Sequence, residues 1–504
     1  MEKRILVAEF ERHLKSSLLD LQNGIARPSD KDIQEWAALI YNSMATSPRL
    51  YHDPEHITEV LNNYQKEVAL VSSPQNPQNR DPISILAILF HDIVYITLDQ
   101  RLSTQQSEIL KHAIMEEQDG ELLLLPFSEH KDPMISMVAT VFDMKEGEHL
   151  PELGKNEFLS ALIAAVTLEP FVSGTELFRL VVGIEATVPF RPIDQHTGKT
   201  PMDRLYDRAW KALQDLDSNH NNSPLSSQEE FVCHAVQQAV IIANSDLGTF
   251  GDPDPTTFID SNWRLFPEWF PSLLGDPEKT SVVELQTALS SILKRDLDID
   301  KIFPYFRGVP STSVLEQKRQ HTRDNQDFLR RYISIRLLTV TLILELITLA
   351  SEEDSSSLLS SSLSSVMTLS SLCKIESDPG VASSTLQDTE SKKKSCDYYD
   401  DPLEDALFQV LTKGRGVHHA WDSSSSLLSA YIFVAVGGSA GVSRALEGQT
   451  GADLDGSAPT TCINVTRVLP KEIVLGAAKT LATVLCEGQQ EVVKILCEKI
   501  ERLP

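Results

Sequence analysis

Two histidines four residues apart, His52 and His56, are followed by an adjacent His91-Asp92 pair within the apolar run Ile83 to Ile96. Imidazole nitrogens and carboxylate oxygens at that density are the donors of a metal site. A carboxylate in an apolar helix costs several kcal/mol unless a cation or strong donors meet it, so Asp92 needs a partner, and a divalent ion would satisfy it together with the neighbouring imidazole. A further carboxylate, Asp246, closes the stripe Val232, Ala235, Val236, Ala239, Ala243, which places it inward at the negative end of a helix dipole, where an anion again calls for a cation. His56, His91, Asp92 and Asp246 make a mixed nitrogen and oxygen donor set. It suits Mn, Fe, Zn or Mg with positions left for water, rather than a closed structural zinc site.

Three helices must position these residues. The first opens with Asp53 as cap and Pro54 at its first position and buries Ile57, Val60, Leu61, Tyr64 and Val68. His52 lies just ahead of that cap, on the incoming loop. The second opens in the same way at Asp81-Pro82 and is expected to run from Ile83 to Ile96 with apolar residues all round. The third opens with Ser227-x-x-Glu230, a capping-box pattern, and stops near Gly248.

The order Tyr51-His52…His56, His91-Asp92, Asp246 resembles the HD superfamily of metal-dependent phosphohydrolases, whose H…HD…D signature sits on an all-α fold. The run Ile241 to Pro255 is more distantly similar to the last metal-ligand segment of cyclic-nucleotide phosphodiesterases, although Tyr95 stands where those enzymes carry a further histidine. The resemblance covers about residues 30–350. It implies that His56, His91, Asp92 and Asp246 hold the metal, that His52 protonates the leaving oxygen, and that Glu185 orders the attacking water. Arg49, three residues before His52, is the candidate clamp for a phosphate oxygen, with Arg191 as a second. His112, His130 and His149 are available for a second ion, so one metal or two stays open. The reaction expected is hydrolysis of a phosphate ester, of which a nucleotide is one candidate, by a metal-activated water with a histidine general acid. The alternative is an inactive HD-fold module that binds or senses a nucleotide.

The rest of the chain sets the frame. Its 504 residues exceed one ordinary domain of roughly 100–200 residues. Periodicity is helical almost throughout the first 350 residues, which predicts an all-α bundle with an N-terminal helix over 1–29, and the resemblance implies an HD-type domain over 30–350. A Ser-rich low-complexity linker follows over 351–402, then a C-terminal region over 403–504 that is partly helical. Helix patterns after Pro470 are a candidate surface for a protein partner or self-association. A formal net charge of −27 argues against nucleic acid held by general phosphate attraction. The opening stretch lacks the pattern of a signal peptide, and the apolar run Ile333 to Ala350 carries Arg336 and Glu345, so no membrane span is expected. Six cysteines without a C-x-x-C pair, five of them beyond residue 370, fit reduced thiols and a cytoplasmic location.

Overall fold

The computed structural model describes residues 2–21, 26–45, 49–71, 81–118, 120–127, 132–217, 225–269 and 299–326, with positions 329 and 475. The expected helices of the tail, the Ser-rich stretch and the run Ile333 to Ala350 lie outside them. The chain divides into two compact units, Met1–Pro271 with Asp296–Arg323, and Ser272–Arg295 with Asp324–Pro504. Everything below concerns the first.

Among its described residues that unit is all-α apart from one antiparallel hairpin, β1 (Ile114–Glu116) with β2 (Leu122–Leu124), in which Ile114 faces Leu124. Its helices are α1 (Glu2–Asp20), α2 (Asp30–Met44), α3 (Pro54–Val71), α4 (Pro82–Phe90), α5 (Ile96–Asp99), α6 (Thr104–Leu110) and α7 (Pro133–Phe142). They continue with α8 (Lys155–Leu168), α9 (Gly174–Ala186), α10 (Pro201–Asp217), α11 (Leu225–Asp246) and α12 (Pro255–Trp269), then a short helix Ile299–Ile302 and a helix from residue 312. Among the described residues no helix is long and apolar enough to cross a membrane.

The core is organised by α4 and α9. Every residue from Ile83 to Phe90 is buried, and α4 packs on α9, α8, α3, α11 and α1, which accounts for its being apolar on all sides. The α9 helix in turn packs on α11 and α8. Gly183 makes that approach close, because a Cβ there would stand 2.8 Å from Ile242 and 3.2 Å from Ala87. The predicted apolar faces of α3 and α11 are buried as the periodicity requires.

Two helix boundaries differ from the sequence expectation, and both bear on the site. The second helix does not reach Ile96: it ends at Phe90, with His91 at its C-cap. The backbone groups beyond that point find other partners. His91 Nδ1 bonds the Ile88 carbonyl at 2.8 Å, Val94 N–H donates to Ser160 Oγ at 3.1 Å, and Ile96 N–H donates to Asn156 Oδ1 at 3.0 Å. Side chains of α8 thus take amides that a continuing helix would have used, and the turn swings Asp92 out of the helical path. In the third helix the pattern Ser227-x-x-Glu230 forms no capping box, because α11 already begins at Leu225 and Ser227 lies inside it, whereas a cap residue needs extended dihedrals.

Candidate metal centre

Three helix ends meet at one point. Asp53 starts α3 as expected, its Oδ1 accepting the amides of Glu55 and His56 at 2.9 and 3.0 Å, and this cap sets His56 in the first turn. The last residue of α4 precedes His91 and Asp92, and Asp246 ends α11 before a short 3-10 turn, Leu247–Gly251. One donor atom from each of His56, His91, Asp92 and Asp246 lies within 4.8 Å of every other. Residues separated by up to 190 positions along the chain thereby form one cluster.

The contacts inside the cluster are those of donors facing a shared centre. His56 Nε2 is 3.0 Å from Asp246 Oδ1 and 3.5 Å from Asp92 Oδ2. His91 Nε2 is 2.9 Å from Asp92 Oδ2 and 3.5 Å from Asp246 Oδ1, yet it makes no hydrogen bond, although the atom is buried. Its other ring nitrogen is engaged by the Ile88 carbonyl, which can only accept, so Nδ1 carries the hydrogen and the neutral ring would turn its Nε2 lone pair toward two carboxylates. Lone pair against lone pair is repulsive unless a cation lies between them. The charges agree. Burial would raise the pKa of Asp92, but His91, His52 and His56 hold it well below the usual carboxylate range. Asp246 is opposed by burial in the same way and is lowered by its hydrogen bond with His56 and by the closeness of His91. For His91 burial works against the charged form, and the two aspartates outweigh it and raise its pKa. Protons or a metal ion can supply the positive charge this donor set demands, and the two compete for it.

No protein-family model, curated protein or solved structure matches the chain. What the site can do therefore rests on its own residues. Two imidazoles and two carboxylates, buried or partly buried, fit a divalent ion.

Beside the cluster lies a cavity of about 180 Å³, lined by His52, Asp92, Tyr95, Glu157, Asp246 and Trp269 among others. His52 is held there by a residue that the sequence did not reveal. The buried carboxylate of Glu268, on α12, receives His52 Nδ1 at 2.5 Å and the backbone amides of Leu50, Tyr51 and His52 at 2.6, 2.6 and 3.3 Å. One carboxylate thus fixes the whole loop ahead of α3 and leaves His52 Nε2 to the cavity. Burial lowers the pKa of His52, and the charges of Asp92, Glu268 and Asp246 overcome this and raise it. Glu157, in the first turn of α8, is a second residue that the sequence does not single out. Burial, reinforced by the Asp92 charge, pushes its pKa up to about 7, and it lines the same cavity. Glu157 sits in the first turn of a helix at a position that reads as an ordinary exposed acid.

The remaining candidates are placed elsewhere. Arg49 does not line the cavity. Its guanidinium grips Asp99 through Nε at 3.0 Å and Nη2 at 2.5 Å, and Nη1 donates to the Asp92 carbonyl at 2.7 Å. It therefore braces the turn that carries Asp92, because a fully buried guanidinium is drawn to acceptors that satisfy it. Glu185 is outside the cluster and the cavity, with Arg191 and Arg208 both bonded to its carboxylate. His112 is exposed and His149 pairs with Glu117 at 3.4 Å, neither joining the cluster, and His130 lies outside the described residues.

Proposed function

We propose that the protein is a metal-dependent phosphohydrolase of the HD type that cleaves a phosphate ester of a small molecule. The observation that carries this reading is the convergence of His56, His91, Asp92 and Asp246, with the unbonded Nε2 of His91 set against two carboxylates. A divalent ion held there supplies Lewis acidity to the phosphoryl group and the attacking water. The protein's own residues do the rest. Glu157, with its pKa near neutrality, accepts the proton that the water loses as its oxygen bonds phosphorus. His52, kept protonated by the carboxylates around it, donates its Nε2 proton to the ester oxygen as the P–O bond breaks. Glu268 holds the His52 ring in the orientation that presents Nε2, and Arg49 fixes the backbone beneath Asp92. Both act by positioning rather than by touching the substrate. A small phosphorylated partner rather than nucleic acid agrees with the net charge of −27.

The test is metal analysis of purified protein combined with a panel of phosphomonoesters, nucleotides and cyclic dinucleotides, assayed with Mn, Fe, Zn or Mg. Metal content near one ion per chain or above with cleavage of an ester is expected. Bound metal and bound nucleotide without turnover under any of these ions would replace the enzyme by a sensing module.

A further inference from the structure

The loop Val188-Pro189-Phe190, together with Leu247, forms a wall shared by two cavities. On one side is the metal cleft, whose lining includes the acids Asp92, Glu152, Glu157 and Asp246. On the other is a larger cavity of about 470 Å³, within the range of roughly 300–1,000 Å³ usual for small-molecule sites. Its polarity is the reverse. Arg191, Lys301 and Arg319 line it, and among the described residues no aspartate or glutamate does. In a chain with 72 acidic against 45 basic residues that is a marked local inversion. The remaining lining is largely apolar and includes the buried Met202, Ile302, Phe303 and Leu315.

Arg191 makes this more than a basic surface. Its side chain is only 9% exposed, and its Nε is buried without a hydrogen-bond partner. It shares the single carboxylate of Glu185 with Arg208, so two guanidinium charges stand against one negative charge. A guanidinium that lines a cavity free of aspartate and glutamate and divides one carboxylate with a second arginine is a group an anion can meet.

We propose that this second cavity binds a small amphipathic anion, an aromatic or aliphatic body carrying a sulfonate, phosphate or carboxylate group. The apolar body lies against Met202, Ile302 and Phe303, and the acid is met by Arg191 with Lys301 at the exposed rim. The site is separate from the metal centre and does not depend on the reading of that centre.

The test is calorimetric titration of the full chain, without added metal, using anilinonaphthalene sulfonate as the anionic probe and its uncharged parent N-phenylnaphthylamine as the control. Binding at one site per chain is expected, with the anion favoured at least about 10-fold. Arg191→Gln and, independently, Lys301→Glu at the exposed rim should each weaken the anion by about 10-fold while leaving the neutral probe unchanged. Excess Mn alone, directed at the metal centre, should not displace the probe. Equal affinity for the two probes, or wild-type anion binding in both variants, would overturn the proposal. Because no turnover is read, an inactive metal centre leaves the result unaffected.

Discussion

Replacing Glu268 by Gln isolates the charge that holds His52. The substitution keeps the size of the side chain and an oxygen able to accept the amides of Leu50 and Tyr51, both at 2.6 Å in the wild type. What is lost is the negative charge facing His52 Nδ1 at 2.5 Å. A hydrogen bond to a charged group contributes about 1.5–3 kcal/mol, and one pH unit in pKa corresponds to about 1.36 kcal/mol. The His52 pKa should therefore fall by about 1 to 2 in the variant, the charge of Asp92 supplying what remains of the elevation. The stability consequence has a definite sign. A folded-state pKa raised above the unfolded value contributes stability that is complete below about pH 6.5 and is lost as the pH rises through the folded pKa. In Glu268→Gln that contribution shrinks, so wild type and variant should differ most in mildly acid solution, below about pH 6.5 but above the titration of Glu268, and converge in alkali. An NMR titration of the His52 ring in metal-free protein, paired with urea unfolding across the same pH range, reads both effects. An unchanged His52 pKa in Glu268→Gln would refute the electrostatic account of the loop.

Three further outcomes follow from the geometry. Asp92→Ala should abolish stoichiometric metal binding by elemental analysis, and should remove the gain in unfolding free energy, about 2.7 kcal/mol for an ion at a hundredfold excess over its Kd, that the wild type shows; retention of metal in the variant would sink the ligand assignment. With an ester that the protein cleaves, Glu157→Gln should lower turnover by about 10²–10⁴-fold and erase the rise in rate near pH 7 expected of a base with that pKa, so a pH–rate profile that keeps this limb would exclude Glu157. Lys318 is buried against Glu67 on α3, and Glu67→Ala, which strands the ammonium, should cost about 3–5 kcal/mol in denaturant unfolding, with Lys318→Met restoring much of the loss; a Glu67→Ala change within error of wild type would show that the ammonium finds other solvation.

The features legible in the sequence were those that local spacing controls. Asp53-Pro54 and Asp81-Pro82 mark helix starts because a carboxylate before a proline satisfies free amides, and both helices begin there. The apolar stripe of α11 could be extended to Asp246 for the same reason, since side chains three or four apart share a face. Periodicity reports which face is buried but not what that face meets. His52 and Glu268 are 216 positions apart, and no local pattern announces that one carboxylate will collect a histidine and three amides. Arg49 differs on the same ground: its proximity to His52 in sequence suggests a substrate contact, but in the fold its guanidinium is bonded to Asp99 and the Asp92 carbonyl. The premature end of α4 depends on Ser160 and Asn156 of α8, again beyond any local window.

These long-range elements also explain why the site should hold a cation rather than merely tolerate two paired charges. Asp92 follows the C-terminal end of α4 and Asp246 ends α11, so the negative poles of two helices are directed toward the carboxylates they carry. A structural ion pair would place such acids at helix starts, where the dipole favours them. His91 is held with its Nε2 lone pair inward by the Ile88 carbonyl. The negative poles and the two carboxylates attract either occupant, a doubly positive ion or protons on the imidazoles, so the two compete for the same atoms. The prediction separates the two occupants: metal binding should release protons, and the number released, read by calorimetry in buffers of different ionisation enthalpy, should fall as the pH rises through the titration of His91. Binding with no proton release at any pH would mean that the imidazoles are not the ligands.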